Sequence, residues 1–142
     1  MSGHGNGILP SLGLLILRLG AGGLLLGGHG WPKLQRFSER LTTFANPIGL
    51  GPEVSFSLVV FAEVLCSSLV ILGLGTRLAA LPIAIFLSVA AFVQHLHDPW
   101  AKKELPLLYL AAFLALLIAG GGRFSLDAVL RGRFGTGKRP KR

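Results

Sequence analysis

A chain of 142 residues that is 51% hydrophobic and 14% charged is sized for one domain. It is too poor in charge for an ordinary soluble one, where about 25% is usual. The net charge of +8 does not mark a nucleic-acid binder, because half of the 14 Lys and Arg residues (Arg123, Arg131, Arg133, Lys138, Arg139, Lys141 and Arg142) trail the last apolar block. A basic tail behind a hydrophobic body is the pattern of a cytoplasmic end beside anionic lipid.

In chain order, the opening MSGHGNG lacks the Lys or Arg of a secretory leader, so the apolar block behind it is expected to be retained. Four blocks can cross ~30 Å of hydrocarbon at ~1.5 Å per residue. They are residues 9–31, 53–74, 78–95 and 104–121, with Pro10, Pro82 and Pro106 near the starts of three of them. Between the first two, Leu34, Phe37, Leu41 and Phe44 recur at helical spacing, while Lys33, Arg36, Glu39 and Arg40 fall elsewhere. That pattern predicts a short amphipathic helix over 32–46 lying on the membrane surface. Gly73 to Arg77 reads as a tight turn, and Asp98 to Lys103 as a connection with Trp100 at interface depth.

The expected architecture is all-α. It is a polytopic membrane protein, a four-helix transmembrane bundle with one interfacial helix, forming a single membrane domain over 1–142 with a basic tail at 123–142. Arg77 and the seven tail residues outnumber Lys33, Arg36, Arg40, Lys102 and Lys103, which puts both termini in the cytoplasm. The expected location is a bacterial cytoplasmic (inner) membrane. Cys66 stands alone, which excludes an intramolecular disulfide and a Cys-x-x-Cys relay.

Arg18 and Glu63 fall within the first and second blocks, each about halfway along, and a lone charge there costs roughly 3 kcal/mol to insert. The economical reading is an Arg18–Glu63 ion pair near the midplane, either fixing helix register or handling a proton or ligand; the alternative is a protonated, unpaired Glu63. Arg18, Gly22, Leu25 and His29 share one stripe, and Glu63 shares a face with Phe56, Cys66 and Ser67. Ser88, Ala91 and His95 align in the third block, with Gln94 adjacent, and Glu104, Leu108, Ala111 and Ala115 align in the fourth. These stripes are expected to line a narrow polar cleft. Gly23 and Gly27 form a GxxxG pair suited to close packing. His29, His95, His97 and Glu104 gather near the outer ends of their blocks without the spacing of a metal site, so no metal is expected. A quinone headgroup needs only one or two hydrogen-bonding groups beside an apolar cleft, which makes Arg18, His29, Glu63 and His95 the candidate quinone-contacting residues. The alternative for the histidines is contact with headgroups or loop carbonyls.

The sequence resembles the DoxX-like family of small four-helix membrane proteins. The resemblance rests on Arg18-Leu19-Gly20, His29-Gly30-Trp31-Pro32-Lys33-Leu34, Glu63, the run from Gly73 to Leu81, and Gly121-Gly122-Arg123-Phe124-Ser125-Leu126-Asp127. Where the family has Gly-Pro-Gly-Arg, this chain has Gly120-Gly121-Gly122-Arg123. Ser125 is placed to cap a short helix and Asp127 to sit in its first turn. The resemblance implies a membrane subunit of a redox-linked assembly, since some relatives look like subunits of thiosulfate:quinone oxidoreductase or of redox-stress assemblies. No flavin, iron–sulfur or nucleotide motif is present, so no intrinsic cofactor is expected and electrons would come from partner subunits. No catalytic residue is singled out. The alternative is a non-catalytic scaffold or a small-solute or proton carrier with a structural ion pair.

Overall fold

The computed structural model describes residues 7–134, and all regular structure among them is helical. Lys138, Arg139, Lys141 and Arg142 of the expected basic tail lie outside the described residues. The helices are α1 (Ile8–Gln35), α2 (Phe37–Arg40), α3 (Pro52–Leu72), α4 (Thr76–Gln94), α5 (Trp100–Ala119) and α6 (Leu126–Phe134). Of these, α1, α3 and α4 are long and apolar enough to cross a membrane. The 20-residue α5 is apolar after Lys102, Lys103 and Glu104 in its opening turns.

Consecutive long helices run antiparallel: α3–α4 and α4–α5 are joined by short connections, and α1 lies antiparallel on α3, with Gly22 against Ile71 and Gly30 against Glu63. Gly73 (φ 73°) and Gly75 (φ 58°) turn the chain between α3 and α4 in the left-handed region that glycine enters without penalty. The four long helices pack in a ring, α1 on α3, α3 on α4, α4 on α5 and α5 back on α1. Their shared core includes Leu25, Val70, Ile83, Leu87, Phe113 and Leu116, while Leu78, Ile85, Phe92 and Ile118 point outward. An apolar core and an apolar exterior together are what a lipid-facing bundle requires, because lipid does not drive hydrophobic side chains inward.

The α4–α5 contact corrects the polar stripe expected in the fourth block. Glu104, Leu108, Ala111 and Ala115 are exposed, and Leu110, Phe113 and Leu116 face inward. The reason is volume: α4 offers Ala79, Ala80 and Ala84 to the core, and large side chains on α5 fill the space they leave. The GxxxG pair makes no close packing within the chain, since a Cβ on Gly23 or Gly27 would meet nothing within 4 Å. The close contacts are made by Gly22, where a Cβ would sit 2.9 Å from Ile71, and Gly30, where it would sit 2.6 Å from the Glu63 carbonyl oxygen.

The segment 32–46 is not one helix. Residues 32–35 prolong α1, Arg36 breaks the path (φ −108°, ψ 30°), and only the four residues of α2 are helical after it. A π-type turn over Leu26–Gly30 lies just before Pro32, and such local adjustments let a membrane helix pass a proline. Phe37 and Phe44 both turn onto the buried Phe56 of α3, with ring centroids 5.4 and 4.9 Å away. Pro82 and Pro106 lie inside α4 and α5 rather than in their first turns, and both line the cavity described next.

Candidate functional site

Gly22 against Ile71 and Gly30 against Glu63 define the antiparallel register of α1 on α3. This register separates Arg18 from Glu63, and the expected Arg18–Glu63 pair does not form. Arg18 lies level with the end of α3, where its guanidinium donates to the carbonyls of Val70 (3.4 Å), Ile71 (3.2 Å) and Phe124 (2.7 Å). The Val70 and Ile71 carbonyls lie in the last turn of α3, at the negative end of its dipole, where Val70 also accepts from the Gly73 N–H (3.1 Å). Arg18 is thus fully buried without a carboxylate contact, and it ties α3 to the segment after α5.

Glu63 is instead gripped by Lys33, whose Nζ donates to both carboxylate oxygens at 2.6 Å. The pair exists because α1 runs past Trp31. Lys33 lies three residues after Gly30 and therefore on the same face, and Gly30 has no side chain to hold the helices apart. Glu63 is 1% and Lys33 20% exposed, so the pair is sunk in the protein with the lysine nearer the opening. Lys33 Nζ also lies 6.0 Å from the centroid of the Phe86 ring, within cation–π range.

Both members of the pair line a mostly apolar cavity of about 870 Å³, open on one side, bounded by α1, α3, α4, α5 and the connection after α2. That volume lies in the range of small-molecule sites, ~300–1,000 Å³. His29 lines the same cavity, one turn before Lys33, and meets the Tyr109 ring edge-on (6.0 Å, 87°). At the rim, His95 stands beside Gln94 and is paired through Nδ1 with Asp98 (2.7 Å). That bond, with the charges of Lys102 and Lys103, holds the Asp98 carboxyl below the usual carboxylate range. The cavity therefore joins His29, Glu63 and His95 of the sequence-derived set and leaves Arg18 out. His97 and Glu104 are exposed.

Lys33 and Tyr109 are the residues that sequence reasoning missed as site members. Lys33 falls in the segment 32–46, whose apolar spacing assigns it to a surface helix rather than to the end of the first span. The usable signal was the Gly30–Lys33 spacing opposite a buried acid. Tyr109, the only tyrosine of the chain, had no patterned neighbour to single it out.

Lipid-facing helices around a buried ion pair at the wall of an apolar cavity define a small helical membrane protein. The chain belongs to the DoxX family, whose model matches residues 13–96, the stretch that supplies most of α1, all of α3 and α4 and the Lys33–Glu63 pair. A relative from Haemophilus influenzae is 30% identical over 138 residues, covering 92% of this chain and 89% of its own length, and is described as an uncharacterized protein. No solved structure matches.

Proposed function

We propose that the protein is an integral subunit of a redox-linked membrane assembly and takes a quinone-like headgroup into the cavity beside Lys33 and Glu63. The observation that carries this reading is a charge-assisted, bidentate Lys33–Glu63 pair at the wall of an apolar cavity of about 870 Å³. The donor set fits such a ligand. Lys33, His29 and Tyr109 are hydrogen-bonding groups suited to ring oxygens, and the apolar lining, which includes Leu58, Phe86 and Leu105, suits a ring and an isoprenoid tail. Quinones accept two electrons and two protons; here a partner subunit would supply the electrons. The protein's own residues would orient the headgroup, exclude water and hold protons at Lys33 Nζ and the Glu63 carboxyl.

In this reading α5 provides a fourth crossing, and the segment 37–46 covers the cavity at the outer surface with Phe37 and Phe44 turned to Phe56. Both termini lie in the cytoplasm of a bacterial inner membrane, in keeping with the basic residues after Gly122. Purification in mild detergent, with extraction of quinones and identification of co-purifying proteins, tests the proposal. A quinone retained by the parent and lost in His29→Ala and Tyr109→Phe is the expected result. A chain that emerges alone and shows no saturable binding of an added short-chain ubiquinone overturns it.

A further inference from the structure

At the opposite end of the bundle from the Lys33–Glu63 cavity, a second, polar pocket of about 540 Å³ lies between the α3–α4 turn, the end of α5 and α6. Arg77, Arg123 and Arg131 line it, against one carboxylate, that of Asp127. That acid is held at the pocket wall, where its oxygens accept from the Gly75 N–H (2.7 Å), the Thr76 N–H (3.1 Å) and the Thr76 hydroxyl (3.3 Å), and it sets one negative charge against three guanidiniums. Arg77 Nη2 donates to the Ile118 carbonyl (2.8 Å), which fixes that guanidinium across the α4–α5 junction. Arg131 Nε donates to the Asp127 carbonyl (3.3 Å), which fixes the second on α6. Each of these bonds uses one of the five N–H donors of a guanidinium, whose planar fork suits a phosphate. The pocket also opens beside hydrocarbon-facing side chains: Leu78, which lines it, is 77% exposed, and Ile118 is 76% exposed.

We propose that this pocket binds the phosphate headgroup of an anionic phospholipid, with an acyl chain lying along Leu78 and Ile118. Free phosphate could accept from the same guanidiniums but would gain nothing from the apolar lip, so the lipid is the favoured source of the group. The proposal is independent of the ligand of the other cavity and of which membrane face this end occupies. Basic pockets at helix ends are suited to this chemistry.

The test is native mass spectrometry of the full chain in neutral detergent, titrated with phosphatidylglycerol, with phosphatidylcholine, and with phosphatidylglycerol plus inorganic phosphate. The parent should retain phosphatidylglycerol over phosphatidylcholine, and inorganic phosphate should fail to displace it. Replacing Arg77, Arg123 and Arg131 together by Gln should weaken phosphatidylglycerol binding by about tenfold or more. Arg36→Gln with Lys102→Gln, at the other end of the bundle, should leave it unchanged. Arg131→Gln alone guards against misfolding, since this exposed residue can be removed with little effect on packing; melting in the same detergent monitors all variants, and this one should stay folded, losing at most the small stability its charge lends Asp127, and still lose affinity. Equal binding of the two lipids, or parental affinity in Arg131→Gln and the triple variant, overturns the site. Displacement by inorganic phosphate overturns the lipid as its occupant.

Discussion

A lysine ammonium shared by two carboxylate oxygens inside a bundle is stable only while both partners are present. Bringing the two ions out of water costs several kcal/mol each, and their attraction repays it through close geometry. Lys33→Met should therefore leave Glu63 charged and alone, or force it to protonate, and Glu63→Leu should strand Lys33. Each is expected to cost about 3–5 kcal/mol, read as a lower melting temperature in detergent. Lys33→Met with Glu63→Leu should recover most of that loss. If the double variant also supports the native phenotype, the pair serves structure; loss of phenotype in a stable double variant places it in ligand or proton handling. A second titratable residue acts at the other end. Burial pushes the Asp127 carboxyl up, but the bonds from Gly75 and Thr76 and the charge of Arg131 outweigh burial and hold it below the ordinary range. A depressed carboxylate stabilises the fold fully above its unfolded pKa of about 3.9, and the contribution fades as pH falls through the lower folded value. Acid unfolding of Asp127→Asn should accordingly begin from a lower stability and show a shallower loss below pH ~4. An acid limb identical to the parent's would mean that the Asp127 bonds contribute nothing.

At the scale of elements, glycine decides where helices touch. Gly73 adopts a positive φ, and a Cβ there would run into the Arg18 guanidinium and Ser125. Gly73→Ala should thus disturb the α3–α4 turn and the Arg18 cap together, with a larger drop in melting temperature than Gly23→Ala, which meets open space. The connection after α1 makes a different prediction. Spin labels at Phe37 and Phe44 should be shielded from aqueous quenchers and labels at Arg36 and Thr43 accessible; equal exposure would remove the packing on Phe56. Apolar length made the four long helices legible in the sequence, and Ser125 caps α6 as expected, its Oγ accepting from the Ala128 N–H at 3.2 Å. Register was not legible, because two antiparallel apolar helices can slide without changing their composition. The side-chain-free contacts at Gly22 and Gly30 fix Glu63 opposite Lys33 rather than Arg18. Nor could the sequence show that Asp127, besides opening α6, would reach back to cap the start of α4.

For the whole molecule, the proposed topology of four crossings with cytoplasmic termini predicts that reporters at Thr76 and at the C-terminus read cytoplasm and that reporters at Thr43 and Trp100 read the opposite side. A C-terminus on the outer side would remove either α5 as a crossing or the orientation. The unequal lengths of the helices bear on the surrounding lipid. At ~1.5 Å per residue, the 28 residues of α1 measure about 42 Å and the 19 of α4 about 28 Å, beside a hydrocarbon core of ~30 Å. Exposed Ile8, Leu9 and Ile16 carry the apolar surface of α1 almost to its start. The long helix must lean or raise the acyl layer beside it, while the short one is matched upright. Hydrophobic mismatch is thus distributed unevenly around the bundle, and the annulus of lipid that seals it cannot have one depth on all sides.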